Sequence, residues 1–330
     1  SKTKYVRLVK REIKGKEYYY AQLVQEGTPK QKDKNDLGNE VVGLDIGPST
    51  IAVVAQTQAF LTAFCASLAL LEKPIKAIQK ILDRSRRSTN KDNFNADGTI
   101  KPGCKKWHFS HRYRNERARL GELQRRVAET RKKLHGEMCN NILRIGRVIK
   151  CEKLSYVSFQ KQWGKSVGSR APGMFMQKLR DKAARAGGEV IEFSTHRTKL
   201  SQTCHGCDIL RKKRLSERIH ECTCGIGPVQ RDLYSAFLST HVSSNILNKS
   251  EAQKAWPDAE PLLENALLSL NETASGKLRL ASFGLSQALR QSGSHFKDGS
   301  IPTEATDVVW MGQPDPESGG EVGSIAVRTP

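Results

Sequence analysis

No stretch of this 330-residue chain holds the roughly 20 consecutive apolar residues that would span a bilayer as a helix. The most apolar run, AFLTAFCASLALLE from Ala59 to Glu72, is too short and reads as a buried strand followed by helix. The residues after Ser1 are charged and polar, without the apolar core of a secretory signal, so a cytoplasmic location is expected and no membrane partner. No internal repeat is visible, which argues against a solenoid or array. Acidic residues are scarce, with 34 Asp and Glu against 55 Lys and Arg, a net charge of +21. Residues 251–330 run the other way, 6 basic against 11 acidic, so the first 250 residues carry +26. Solubility needs far less charge than that, and polyanion binding is its usual meaning. A generically basic, ribosomal-type protein is the plainer alternative.

A disulfide framework is also missing. Cys65, Cys104, Cys139 and Cys151 stand singly, while Cys204, Cys207, Cys222 and Cys224 form a C-x2-C…C-x-C set. In a chain without a secretory signal this spacing reads as a metal site, because two close thiolates can clasp Zn2+ from each of two turns. The intervening DILRKKRLSERIHE has little apolar content, so a bound metal would supply the stability it lacks. Reduced thiols without metal are the alternative. His205 and His220 are possible substitute ligands, but roles facing solvent or nucleic acid are favoured. The basic stretch Arg211, Lys212, Lys213, Arg214 suits phosphate contact.

Along the chain, Lys4 to Gly27 reads as a β-hairpin around Lys14-Gly15-Lys16, followed by a polar linker, TPKQKDKNDLGNE. VVGLDIGPSTIAVVAQ is a second hairpin. Its period-2 alternation puts Val42, Leu44 and Ile46 on one face and Gly43 and Asp45 on the other, where the missing side chain of Gly43 leaves room for a ligand. Helix is predicted from Lys73 to about Ser88, and a long basic helix over 109–146 with a stripe of Leu120, Leu123, Val127, Leu134 and Met138. RVIKCEKLSYVSF is a strand bearing Glu152 near its end, APGMFMQKLRDKAARAGG a helix, EVIEF a strand, and DLYSAFLSTHVSSNIL a helix opened by Asp232. Weak helices are expected at AEPLLENALLSL and FGLSQALRQ, and disorder over the last thirty residues.

Asp232 alone could be a favourable charge at its helix N-terminus, and Glu152 one surface acid among many. Asp45 is harder to dismiss, since an acid within VVGLDI is partly buried and costly without a cation. Three acids from separate elements that meet at one sheet edge could hold two divalent ions, activate a water and stabilise the leaving oxygen of a phosphodiester. A basic body would bring the polyanion to them.

In their order, GLDIGPSTIAVV, IKCEKLS, TKLSQTCHGC…CTC and QRDLYSAF resemble the RuvC-type nuclease of TnpB proteins, transposon-encoded RNA-guided nucleases related to type V CRISPR effectors. The resemblance covers roughly residues 1–245. It implies an α/β, RNase H-like mixed sheet flanked by helices, with an inserted zinc ribbon and a partial wedge-like β-domain in front. It implies Asp45, Glu152 and Asp232 as the magnesium-binding catalytic triad, and Cys204, Cys207, Cys222 and Cys224 as ligands of a structural zinc. The expected layout is a wedge-like hairpin and linker over 1–40, a nuclease core with a basic helical insertion over 41–200, a zinc ribbon over 201–228, a final nuclease helix over 229–249 and an acidic, partly disordered tail over 250–330. The expected function is metal-dependent DNA cleavage directed by a guide RNA, in the nucleoid of a prokaryotic host, whatever transposase label such a chain attracts. A catalytically silent RNA- or DNA-binding relative is the alternative. Tyr234 stands where the family usually has Asn, and the family's recognition lobe and most of its wedge domain precede the position where this sequence starts, so either a truncated copy or a piece of a longer chain is expected.

Overall fold

The computed structural model describes residues 2–13, 15–27, 36–207, 209–214, 216–273, 283–284 and 324–327. The chain divides into two units, residues 1–30 with 295–330, and residues 31–294. In the first, β1 (Thr3–Ile13) and β2 (Lys16–Gln25) form the expected antiparallel hairpin, and Gly15 takes the positive φ its turn requires. Ser324–Val327 adds an antiparallel strand to β2, in a region where the sequence predicts disorder. The remainder of the last thirty residues lies outside the described residues, as does all but Phe283 and Gly284 of FGLSQALRQ.

The second unit is a mixed α/β structure around a five-stranded sheet of order β5-β4-β3-β6-β7. Its strands are β3 (Val41–Ile46), β4 (Thr50–Val54), β5 (Ala59–Ala63), β6 (Val148–Glu152) and β7 (Glu189–Phe193). The short Gly47-Pro48-Ser49 turn makes β3 and β4 antiparallel, and β5 continues the meander. Helical crossovers then return β6 parallel to β3 and β7 parallel to β6. Seven α-helices are present among the described residues. They are α1 (Ala69–Thr89), α2 (His111–Ile145), α3 (Tyr156–Arg170), α4 (Pro172–Ala186), the one-turn α5 (Thr195–Thr198), α6 (Arg231–Thr240) and α7 (Lys249–Thr273). None of the described helices is long and apolar enough to cross a membrane.

Strand alternation gives the sheet two buried faces. On one, Val42, Leu44, Ile46, Ile149 and Cys151 pack against Cys139, Ile142 and Leu143 of α2 and Phe175, Met176 and Leu179 of α4. On the other, Ala52, Val54, Leu61 and Phe193 pack against Leu233, Ala236 and Phe237 of α6 and Trp256 and Leu263 of α7. The pattern over 232–247 predicts one helix, but α6 ends at Thr240. Val242–Ser243 and Ile246–Leu247 then pair as a two-stranded hairpin whose turn residues Ser244 and Asn245 have positive φ. Serine and asparagine compete with helix by local hydrogen bonding and favour such turns. The weak helix expected at AEPLLENALLSL is the second half of α7, a 25-residue helix docked through Ala252, Trp256, Ala259, Leu263 and Ala266.

Candidate metal centres

Helix α6 lies directly on β3, because Gly43 has no side chain. A Cβ there would come within 1.8 Å of the Ala236 carbonyl oxygen. The room that Gly43 leaves is therefore filled by helix backbone, and the expectation that it would admit a ligand is corrected. Lys150, which faces Gly43 across the β3–β6 pair, donates from Nζ to the Thr240 carbonyl at 2.9 Å. That ammonium complements the negative end of the helix dipole and fixes the C-terminal end of α6 over the start of the strands. The N-terminus of α6 consequently points to the strands' far ends.

Three acids occupy that corner. Leu44 is opposite Cys151 in the parallel register, so Asp45 and Glu152 follow side by side on neighbouring strands, on the same face as Gly43 and Lys150. Asp232 sits in the first turn of α6, where Gln230 caps the helix by accepting the Leu233 N–H at 2.7 Å. Burial, then the nearby charges of Asp232 and Glu152, push the Asp45 carboxyl well above the usual carboxylate range. Burial raises Glu152 as well, against hydrogen bonds from the Leu200 backbone and the Thr198 hydroxyl. A corner that disfavours its own negative charge is one a cation would stabilise. The three carboxylates are near neighbours. They do not bring their oxygens within 4.8 Å of one another, an arrangement that among the described residues only the four cysteines reach.

Two arginines that motif reading passes over stand beside Asp232. Arg231 Nη2 is 3.4 Å from Oδ1 and Arg218 Nη1 is 3.9 Å from Oδ2. Arg231 also donates to the Glu217 carbonyl at 2.8 Å, tying the start of α6 to the loop between the cysteine pairs. The signal for both was present as basic residues flanking an acid, but the sequence holds too many arginines for that to single them out.

Cys204, Cys207, Cys222 and Cys224 meet with all sulfurs within 4.8 Å, and the Cys204–Cys224 and Cys207–Cys222 pairs are 3.5 Å apart. A tetrahedral zinc with arms of about 2.3 Å needs sulfurs about 3.8 Å apart, so the set could hold such an ion. The backbone N–H of Cys224 holds the Cys222 thiol down at about 7, and burial pushes Cys204 up to about 12. Between β8 (Ile219–His220) and β9 (Val229–Gln230) the second cysteine pair turns tightly, and the short C-x-C spacing still delivers both sulfurs.

The neighbouring histidines face inward, against the outward roles that adjacency to the cysteines suggests. His205 and His220 are 1% and 2% exposed. His220 stacks on Tyr234 with ring centroids 4.1 Å apart, and His205 packs on Tyr234, Phe237 and Trp256. Burial pushes them down to about 4 and about 3, so both are neutral. Of the basic stretch, Arg211 pairs with Glu217 and Lys213 turns in to contact His220 Nδ1, leaving Lys212 and Arg214 outward. Burial lowers Lys213 to about 8.

Residues 173–237, which run from α4 through all four cysteines into α6, match the family described as Cas12f1-like, TNB domain. No curated protein matches the chain. Among solved structures it is similar to a Cas12f1–sgRNA–target DNA complex determined by cryo-EM, at 14% identity and a TM-score of 0.40, over 67% of this chain and 44% of that one. The chain therefore spans less than half the length of that structure's matching chain.

Proposed function

We propose that this chain, whose TNB-like segment relates it to nucleases of the TnpB and Cas12 type, is a metal-dependent DNA endonuclease of the RNA-guided kind. The observation that carries the proposal is the meeting of Asp45, Glu152 and Asp232 from β3, β6 and α6 in one partly buried corner. The strand order β5-β4-β3-β6-β7, antiparallel then parallel, supports an RNase H-like core with the cysteine set as its zinc ribbon. Divalent cations, Mg2+ by preference for hard oxygen ligands, would supply the activated water and neutralise the leaving oxygen. Asp45 and Glu152 would hold them from the rigid strands, and Asp232 from the helix. Arg218 and Arg231 stand beside Asp232 and balance its charge.

Guide RNA and target DNA are the proposed partners. The charge of +26 over the first 250 residues suits a heteroduplex held through its backbone, with base pairing reading the sequence. The layout of hairpin, nuclease core, ribbon and final helix is proposed on the same footing.

A second reading, a catalytically silent nucleic-acid-binding relative, is favoured by two observations. The carboxylates do not close to common-ligand distance, and Asp232 is already paired with two arginines. The deciding experiment expresses the chain in a bacterial host, sequences the RNA that co-purifies, and assays cleavage of matching DNA with Mg2+. Cleavage that Asp45→Ala reduces by at least about 100-fold supports the nuclease. Bound RNA without cleavage supports the silent relative, and cleavage that Asp45→Ala leaves unchanged ends the triad assignment.

A further inference from the structure

Tyr234 joins the two candidate centres. Its side chain is fully buried, on α6 two residues after Asp232. The His205 backbone N–H donates to Tyr234 Oη at 3.0 Å, and the same oxygen is 2.8 Å from His205 Nδ1. With the hydroxyl donating to Nδ1, both groups are satisfied at once, and the ring proton of His205 is placed on Nε2. His205 lies inside the first cysteine pair, between Cys204 and Cys207. On its other face the Tyr234 ring stacks on His220, two residues before Cys222. One phenol thus touches the backbone of one thiolate turn and the side chain that leads into the other.

The turn it grips has little freedom. A Cβ at Gly206 would lie 2.8 Å from Ile226 Cγ1 and 3.1 Å from Cys224 Sγ. The His205 carbonyl accepts from Gln253 of α7 at 2.9 Å. Removing a metal from four thiolates would take away one of the constraints on this turn, and Tyr234, alongside the His205–Phe237 and Arg231–Glu217 contacts, would carry the loss to the helix that holds Asp232.

We infer that Tyr234 is a positioning residue for Asp232, coupling metal occupancy of the cysteine site to the placement of the carboxylate on α6. The inference deepens the nuclease reading and rests on it only for the chemical use of Asp232; the mechanical coupling stands apart. In the family resemblance this position is usually Asn, so the coupling is assigned to this chain's own tyrosine.

The test uses the full chain, with Tyr234→Phe, which keeps the ring and removes the hydroxyl. Hydrogen exchange of the residue 233–235 amides is followed with Zn2+ bound and after chelation. In the wild type, chelation is expected to speed exchange at least about 10-fold, while the zinc-loaded phenylalanine variant exchanges faster already and responds less. Mn2+ affinity at the carboxylates, read by electron paramagnetic resonance, is expected to weaken about 3- to 10-fold in the zinc-loaded variant. Wild-type exchange and Mn2+ affinity in Tyr234→Phe, or exchange in the wild type that ignores chelation, overturns the inference. Should the wild type bind no Mn2+, the nuclease reading fails, and the exchange measurement alone still decides the coupling.

Discussion

Gly43 and Ala236 touch backbone to backbone, strand against helix, with no space for even a methyl group between them. The contact sets the height of α6 above the sheet and so fixes how far Asp232 stands from Asp45. Gly43→Ala forces the helix outward. Overpacking a backbone contact of this kind is expected to destabilise by about 2–4 kcal/mol. Urea unfolding checks the stability. Any nuclease activity is expected to fall further than that of a surface Gly121→Ala control, whose added methyl meets open space.

Asp45→Asn separates charge from shape. In chelator at neutral pH the wild-type carboxylate is disfavoured by burial and by Asp232 and Glu152. The neutral isostere is expected to raise stability by about 1–3 kcal/mol. Adding Mg2+ should reverse the order, stabilising the wild type and leaving the variant unmoved. Thermal melts with and without Mg2+ decide it, and a variant that responds to Mg2+ like the wild type refutes cation binding at Asp45.

His135 supplies a pH dependence away from both centres. It is buried between Phe64 and Phe175 and donates from Nε2 to the Arg170 carbonyl at 2.9 Å. Burial, which outweighs that hydrogen bond, brings it down to about 4. Between about pH 6.5 and 4 the unfolded chain therefore binds a proton that the folded chain refuses. Its contribution is complete above pH 6.5 and lost as pH falls through 4, by about 3 kcal/mol at most. His135→Phe should make this limb of a urea-midpoint profile shallower, the buried His205 and His220 keeping the rest of it, while losing about 1 kcal/mol at pH 7.5 with the hydrogen bond.

One zinc ion per chain is expected by native mass spectrometry, and less than half in Cys204→Ser. Cys204 is the buried sulfur of the four, so its loss cannot be replaced by a ligand from solvent. A serine variant with full metal content would mean that the cysteines are ordinary thiols.

Much of the sheet is readable without coordinates. The β3–β4 hairpin and the strand EVIEF follow from apolar periodicity bounded by glycine, and the cysteine spacing marks a cluster that could hold a metal. The strand read over 147–159 is shorter than that, ending at Glu152, and its last four residues open α3. Local pattern fails where tertiary docking decides. His205, His220 and Lys213 sit in a polar, basic stretch and read as outward, yet α6 and α7 cover the two histidines with Tyr234, Phe237 and Trp256, and Lys213 turns in to His220. Helix α7 was legible in principle, since Ala252, Trp256, Ala259, Leu263 and Ala266 repeat at 4-3-4-3 spacing. Acidic composition and the prolines at 257 and 261 mask that stripe.

Of the four sulfurs, that of Cys224 lies on an exposed residue, the other three being buried or half-buried. A competing soft ion, a chelator or an oxidant diffusing in from the medium therefore meets residue 224 before any other ligand. Ageing in air attacks the cluster from that side, and a reducing buffer protects it there.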